Sequence, residues 1–301
     1  ISPSSLRQTP LPSEGRYPLM RSITSDKSKL IRIIKKAGVI AAWLLLWQLA
    51  ALAVGSSFLF PSPLTVLRRL GELCVTKEFA LDCLGSLGRI SLGCFSGIVF
   101  GSLLGAVTAF SKPLYDFFSP LLTVIKTTPV ASFIILLLVW VKRSGVPVVI
   151  AFLMVVPVMW SNVSAAVADT DRLLLEAAKV FRLSRFQKLR HVYIPCALPS
   201  FAAGCKTSIG FSWKAGIAAE VLSTPRNSVG SELYIAKINL EYADLFAWTA
   251  AVILMSFLVE KALVLLLEKL LLRRVPVSYT HLRAYLKISP NPTAARRCST
   301  T

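Results

Sequence analysis

The sequence lacks the motifs of several enzyme classes. It has no phosphate-binding loop of the G-x-x-x-x-G-K-[ST] type, because the nearest string, GCKT at 204–207, lacks the first glycine and lies inside an apolar run. It has only two histidines, His191 and His281, and its six cysteines follow neither a metal-binding nor a disulfide-framework spacing. The chain is therefore not expected to be an enzyme, to hydrolyse ATP itself, or to bind a metal or another cofactor.

Acidic side chains are also few, with 15 Asp and Glu against 34 Lys and Arg and a formal net charge of +19. Such an excess commonly indicates nucleic-acid binding, yet 54% of the residues are hydrophobic and the mean hydropathy is +0.64. The basic residues concentrate in 1–36, 171–190 and 277–301. Basic segments that flank apolar runs are typical of membrane orientation, so we expect no nucleic-acid partner and an all-α polytopic protein in the lipid bilayer.

Apolar runs long enough for a helix to cross about 30 Å of hydrocarbon recur along the chain. The segments 64–88 and 222–243 between them are nearly neutral, whereas both ends are basic, which predicts that both termini are cytoplasmic. The sequence predicts six transmembrane helices, at about 37–60, 89–110, 117–141, 146–167, 197–221 and 245–272.

Three regions follow from these runs. Residues 1–36 are polar, basic and rich in Ser and Pro, and are expected to form a disordered N-terminal segment. Residues 37–274 form the predicted transmembrane domain. Hydrophobic periodicity then vanishes, and residues 275–301 are expected to be an unstructured tail whose sequence resembles vector run-on more than native protein.

The segment 169–199 is a polar insert between two apolar runs. Asp169 or Thr170 is expected to cap a first short helix, and Ser184 with Gln187 fits the capping box of a second. Because its basic residues outnumber its acidic ones, the insert is predicted to lie on the cytoplasmic side.

The string EAAKVFRLSRFQKLRHVYIPCALP at 176–199 resembles the EAA loop of permease subunits of bacterial ATP-binding-cassette (ABC) importers. In that family Glu-Ala-Ala is followed four residues later by a glycine, and then by an Ile-x-Leu-Pro-type ending. Arg182 stands where the family has its glycine, and a non-glycine residue in a left-handed turn costs roughly 1 kcal/mol. The resemblance implies an ATPase-coupling role for Glu176, Ala177, Ala178, Arg182, Ile194, Leu198 and Pro199.

The resemblance covers 37–274 and includes the SWKAGIAAE string at 212–220, which is similar to the nitrate, sulfonate and taurine branch. It implies the type I importer permease fold with a cytoplasmic coupling-helix loop, in a multi-pass protein of the bacterial inner membrane. It also implies a homodimer that works with a cytoplasmic ATPase subunit and an extracytoplasmic solute-binding protein. The implied solute is a small oxyanion such as nitrate, sulfonate, taurine or bicarbonate, with a thiamine precursor as the alternative.

Glycines recur at strict four-residue spacing in the second apolar run and line one helix face. Small residues on one face let two membrane helices approach closely, so a helix-packing surface is predicted, and a substrate groove is the alternative. The four positions are Gly93, Gly97, Gly101 and Gly105.

Ionisable residues within the apolar runs are candidates for the translocation pathway, because such groups face a protein interior or an aqueous cavity more often than lipid. Lys126 has a second interpretation, in which its ammonium reaches the membrane surface. The predicted pathway residues are Lys126, Pro129, Asn162, Lys206, Trp213, Lys214 and Glu220.

Two other functions are compatible with a polytopic chain. A secondary carrier driven by an ion gradient would use Lys206, Lys214 and Glu220 as coupling groups, but such carriers commonly show internal repeats, which this sequence does not. A non-transporting scaffold would use the glycine face for assembly.

Overall fold

The structure is a computed structural model that describes residues 20–56 and 58–271, and within them all regular secondary structure is helical. Helix α8 continues through a π-helical turn, Leu189–Tyr193, into α9. Helix α1 lies in a first compact unit that ends at Leu64, and α3 to α11 lie in a second. The helices are α1 (Met20–Val54), α2 (Pro63–Cys74), α3 (Lys77–Ala109), α4 (Lys112–Thr127), α5 (Val130–Trp140), α6 (Val146–Ala168), α7 (Arg172–Val180), α8 (Arg185–Lys188), α9 (Ile194–Ser223), α10 (Val229–Ile238) and α11 (Tyr242–Leu271).

Helix α1 begins earlier than expected. The sequence predicts disorder throughout 1–36, but the chain is helical from Met20. No proline occurs between Pro18 and Pro61, and Lys, Leu, Ile and Arg, which are compatible with helix, fill much of 27–36. Residues 1–19 and the predicted tail 275–301 lie outside the described residues.

Four helical segments of the described chain are long and apolar enough to cross a membrane, and a fifth is obtained if α4 and α5 count as one bent span. The predicted fifth span, α9, has 30 residues but is not among them. The four segments are Ala37–Val54, Lys77–Ala109, Val146–Ala168 and Tyr242–Ala262.

Helix α3 is longer than the predicted span at 89–110. It begins at Lys77, where the Thr76 hydroxyl accepts a hydrogen bond from the Phe79 backbone N–H and caps the helix. Residues 77–88, which the sequence predicts to lie in the nearly neutral segment between the first two spans, are therefore the first turns of the same helix.

The third predicted span is two helices. The sequence predicts a kink at Pro129, whereas the structure ends α4 at Thr127, begins α5 at Val130 and turns the axis by 102°. Proline disfavours a helical conformation in the residue before it, and Thr128 is extended, with ψ of 133°. The chain therefore breaks here instead of bending within one helix.

The glycine face of α3 packs directly on α6. A Cβ added to Gly93 would lie 2.2 Å from the Val148 carbonyl oxygen, and one added to Gly101 would lie 2.7 Å from the Val156 carbonyl oxygen. Gly97 and Gly105 are similarly enclosed by α6. Close backbone approach of this kind requires glycine.

Helix α6 is the centre of the second unit. It lies between α3 and α9, and its Val155 and Met159 are fully buried. The core cluster around them also contains Cys94, Val163, Val167, Cys205 and Ile209.

Candidate functional site

The polar insert folds as two capped helices between α6 and α9. Ser184 and Gln187 form the predicted capping box, because each side chain bonds the backbone N–H of the other. The cap of α7 differs from the prediction: the Asp171 carboxylate, and not Asp169 or Thr170, accepts from the Leu173 backbone N–H. The insert is thus fixed at the start of both of its helices.

The turn between α7 and α8 is left-handed at Arg182, whose φ is +52°. The Leu183 N–H donates to the Ala178 carbonyl at 3.0 Å, and the Arg182 N–H donates to the Lys179 carbonyl at 2.9 Å. These two bonds are those of a Schellman ending, in which glycine is the favoured residue at the position of Arg182. The chain keeps a glycine-type turn without the glycine.

The insert exposes a large apolar surface. Val180, Phe181 and Phe186 are 80%, 77% and 69% exposed, and Leu173 is also exposed. Glu176 and Ala177 are exposed, whereas Ala178 is buried against the rest of the chain. Contiguous exposed apolar residues with polar surroundings mark interaction surfaces, so the geometry of α7 and α8 suits docking of another protein.

The distal end of the insert runs straight into α9. The sequence predicts that Pro195 and Pro199 mark the exit from a helix, but the π-helical turn joins α8 to α9 and both prolines lie within the helical run. Pro195 lies in the first turn of α9, where a missing N–H is tolerated, whereas Pro199 lies inside that helix. Ile194 is exposed and Leu198 half-buried at the start of α9.

A cleft of about 510 Å³ opens where the insert meets the long helices. Asn162 of α6 and Pro199 of α9 line it, so two predicted sites, one for the pathway and one for coupling, share this cleft. Its other polar lining residues include Asp169, Thr170, Asp171 and Ser200.

Helix α9 has a buried face and an exposed stripe. Trp213 is buried, whereas Lys206 and Lys214, eight residues apart, project from the exposed stripe of the single chain. No intramolecular ion pair involving either lysine occurs in the described part of the chain. The stripe consists of Ala203, Lys206, Thr207, Phe211, Lys214 and Ala218.

Glu220 is enclosed near the other end of α9. Its fully buried carboxylate lies 2.9 Å from an Arg89 guanidinium nitrogen, and it accepts bonds from the Ser86 hydroxyl at 2.6 Å and the Gly230 N–H at 3.3 Å. Arg89 also donates to the Asn227 carbonyl at 2.6 Å. One carboxylate therefore joins α3, α9 and α10.

Sequence reasoning did not single out Arg89 or Ser86. The signal was present, because Arg89 is the one basic residue of α3 beyond its first position, and Ser86 lies three residues earlier on the same face. A charge within an apolar run needs a partner, and the only charge opposite in sign in α9 is Glu220.

Lys126 and Pro129 lie at the break between α4 and α5, and both are exposed. The Lys126 Nζ is 5.8 Å from the centroid of the Trp160 ring, which is within the range of a cation–π contact. The Trp160 indole N–H donates to the Thr108 hydroxyl at 2.8 Å. An aromatic ring held by α6 thus faces the Lys126 ammonium.

An ion-pair network ties α2 to α11. The Arg69 guanidinium donates to the Asp244 carboxylate at 2.5 and 2.9 Å, and to Glu72 at 3.1 Å. The hydrogen bond with Asp244 is the main reason that the Arg69 pKa is raised. The hydrogen bond from Arg69 similarly lowers the pKa of Glu72.

The described residues form helices only, and several of these helices are long and apolar enough to cross a membrane, which defines a multi-pass membrane protein. A sequence profile of the binding-protein-dependent transport system inner membrane components matches residues 97–276, and the chain belongs to this family.

Two known permeases illustrate the similarity. The chain is 26% identical over 203 residues to the nitrate import permease protein NrtB of Synechocystis sp., covering 64% of this chain and 72% of NrtB. It is 26% identical over 255 residues to the taurine transport system permease protein TauC of Escherichia coli, covering 82% of this chain and 89% of TauC.

A solved structure supports the fold. The crystal structure of a bacterial ABC transporter involved in the import of the acidic polysaccharide alginate contains a chain that superposes with a TM-score of 0.52 at 15% identity. The match covers 82% of this chain and 100% of the other.

Proposed function

We propose that this chain forms the translocation pathway of an ATP-driven importer for a small oxyanion, in the chemical range of nitrate, taurine, sulfonates and bicarbonate. This solute class is suggested by the substrates in the names of similar permeases, which are the nitrate permease NrtB, the taurine permease TauC and a bicarbonate permease. ATP hydrolysis is assigned to a separate cytoplasmic subunit, and delivery of the solute to an extracytoplasmic binding protein.

The exposed insert carries this proposal. Its apolar residues would be costly in water if nothing covered them, and its cap bonds and Schellman turn hold α7 and α8 in one arrangement. The exposed Glu176 carboxylate on α7 could accept a bidentate bond from an arginine of the ATPase. The insert joins α6 to α9 directly, so a movement of the docked ATPase would be transmitted to both helices.

The proposed topology has six spans. They are the four apolar helical segments, the bent pair α4–α5, and α9, with both termini and the insert on the cytoplasmic side. Helix α9 is included because its exposed stripe bears charged groups that suit an aqueous path or a subunit interface better than lipid. A homodimer would place two copies of this stripe around one path.

Cationic groups would attract an anion along that path. Lys206 and Lys214 are exposed on α9, and Lys126 is exposed at the α4–α5 break. In a cavity of reduced dielectric, their positive charge would raise the local concentration of an anionic solute. Pro129, Asn162 and Trp213 are proposed to shape the path beside them, and Glu220 is kept as a pathway prediction although its carboxylate is bonded internally.

Uptake by the reconstituted complex tests the proposal. The chain, co-purified with the ATPase and binding protein encoded beside it, would be placed in liposomes and supplied with labelled nitrate, taurine, bicarbonate or thiamine precursor. We expect oxyanion uptake that needs both ATP and the binding protein. Uptake driven by an ion gradient without ATP would instead support a secondary carrier, and uptake of only the thiamine precursor would contradict the solute class.

A further inference from the structure

An acidic cleft lies at the end of the molecule opposite the insert. It has a volume of about 580 Å³ and opens between the first turns of α3, the α9–α10 connection and α10. Three carboxylates line it, Glu78, Asp82 and Glu232, against one guanidinium, that of Arg226. The cleft is therefore a site of net negative charge, separate from both the coupling insert and the exposed lysines of α9.

Asp82 is the distinctive member of this set. Its side chain is 8% exposed and lines the cleft, yet no hydrogen bond or ion pair to its carboxylate is found in the described part of the chain. Arg89, a basic residue of the same helix whose charge acts on Asp82, is committed to Glu220 and to two backbone carbonyls. A buried carboxylate without a partner is costly, and its position on the cleft wall points to a cation from outside the chain.

Glu232 faces the same space from α10. It is half-buried, and burial, followed by the nearby charges of Asp82 and Asp244, raises the pKa of its carboxyl above the usual range. A positive group in the cleft would offset the repulsion of the Glu232 carboxylate by Asp82 and by Asp244. Glu78, which is exposed and also lines the cleft, adds to its negative potential.

The residues that line the cleft favour a Lys or Arg side chain over a metal ion. The described residues contain no group of three or more His, Cys, Asp or Glu placed to hold one metal ion. The walls are largely apolar, with Leu81, Pro225, Ile235 and Ile238 beside the carboxylates. Apolar residues beside carboxylates match a Lys or Arg side chain, whose alkyl stem packs on apolar surface while its charged end pairs with a carboxylate.

We propose that this cleft receives a lysine or arginine side chain of the extracytoplasmic solute-binding protein, with Asp82 and Glu232 as its charge partners. The inference rests on the proposed function, whose topology puts this end of α3, a helix of 33 residues that is longer than a bilayer requires, and all of α10 on the extracytoplasmic side. Charge complementarity of this kind would orient the binding protein over the entrance of the path.

The affinity between the binding protein and the complete transporter in lipid nanodiscs tests the contact. We expect Asp82→Asn and Glu232→Gln each to weaken association about tenfold or more, since each loses a charge-assisted bond. Glu241→Gln is the matched control, because Glu241 is an exposed carboxylate just beyond α10 that does not line the cleft. Asp82→Asn should also raise the melting temperature, which distinguishes a binding role from a structural one.

Three results would overturn the inference. If the Asp82 and Glu232 variants bind the binding protein as tightly as the unaltered transporter does, the proposed contact does not exist. Loss of binding in EDTA would assign the cleft to a metal ion. A loss on Arg226→Gln as large as that on Asp82→Asn would show that the cleft acts through an internal contact of Arg226 and not by receiving a cation of the binding protein. If the unaltered complex does not bind the solute-binding protein, the proposed function is contradicted as well. If the unaltered complex binds it and the variants bind it with the same affinity, only this inference is contradicted.

A measurement without the binding protein checks the cation preference directly. Ile235 is 45% exposed and lines the cleft, so a cysteine there, in a background without the native cysteines, can be modified by charged methanethiosulfonates. We expect the cationic reagent to react roughly tenfold faster than the anionic one, and Asp82→Asn to reduce that ratio. A ratio near that of a cysteine at Val75, outside the cleft, would contradict the proposal.

Discussion

The Glu220 carboxylate lies 2.9 Å from a guanidinium nitrogen of Arg89, and no part of the Glu220 side chain is exposed. The two residues are 131 positions apart in the sequence and belong to α9 and α3. Because Arg89 also bonds the carbonyl of Asn227, the pair fastens the α9–α10 connection to α3. This contact is a buried polar link among α3, α9 and α10.

Glu220→Gln should therefore lower stability. The substitution leaves the Arg89 charge without a counter-charge, and breaking a buried pair in this way costs roughly 3 kcal/mol. Thermal unfolding of the purified protein in detergent would measure the loss. Lys214→Gln, on the exposed stripe of the same helix, should change the melting temperature little.

The double variant Glu220→Gln, Arg89→Met completes that test. If the pair acts as a unit, removing both charges should be less damaging than the sum of the two single changes. Additive losses would mean that Glu220 and Arg89 act independently, which contradicts the network described here.

Gly93→Ala should weaken the packing of α3 on α6. The added Cβ would lie 2.2 Å from a backbone oxygen, which cannot yield without a shift of the helices, and overpacking of this kind costs about 1 to 3 kcal/mol. The melting temperature should fall. The control is Gly88→Ala on the same helix, where nothing lies within 4 Å and alanine should be neutral or stabilising. Equal behaviour of the two variants would contradict the close approach.

Arg182→Gly should stabilise the insert. Arg182 has φ of +52°, and glycine adopts this conformation without the roughly 1 kcal/mol penalty of a side chain. We expect ATPase coupling to be preserved or improved, measured as solute imported per ATP hydrolysed. A severe loss of coupling would show that the Arg182 side chain makes a contact of its own with the ATPase.

Cysteine labelling tests the proposed topology. In a background without the native cysteines, a cysteine at Asn239, after α10, should react with a membrane-impermeant maleimide in intact cells. One at Arg185, in the insert, should react only after the membrane is opened. Both positions are exposed in the single chain, so access is governed by sidedness. The reverse pattern would invert the orientation.

Local signals in the sequence predicted two features of the insert correctly. Ser184 and Gln187 predicted a capping box that the structure contains, and the Glu-Ala-Ala string identified the position whose backbone is left-handed. These features depend on residues within a few positions of one another, where propensity and hydrogen bonding decide the outcome.

Contacts between residues far apart in the chain were harder to predict from the sequence. The sequence indicates Glu220 as an intramembrane charge and Arg89 as a charge of opposite sign, but that the two meet depends on the packing of α3 on α9, which no local pattern predicts. The break at Pro129 was predicted as a kink, since a proline alone does not determine whether neighbouring helices hold the two halves in line. The cap of α7 was misplaced by one or two residues, which is the scale on which helix ends are hard to locate.

The proposed function depends on coupling through Glu176, and the decisive measurement is the ratio of solute imported to ATP hydrolysed by the reconstituted transporter. Glu176→Ala should lower that ratio severely or reduce ATPase co-purification, while the melting temperature of the membrane chain stays unchanged because Glu176 is exposed. Lys179→Ala, three residues later on the same helix, should have a much smaller effect. Equal ratios for the unaltered chain and Glu176→Ala would contradict the claim that α7 transmits ATP hydrolysis to the membrane helices.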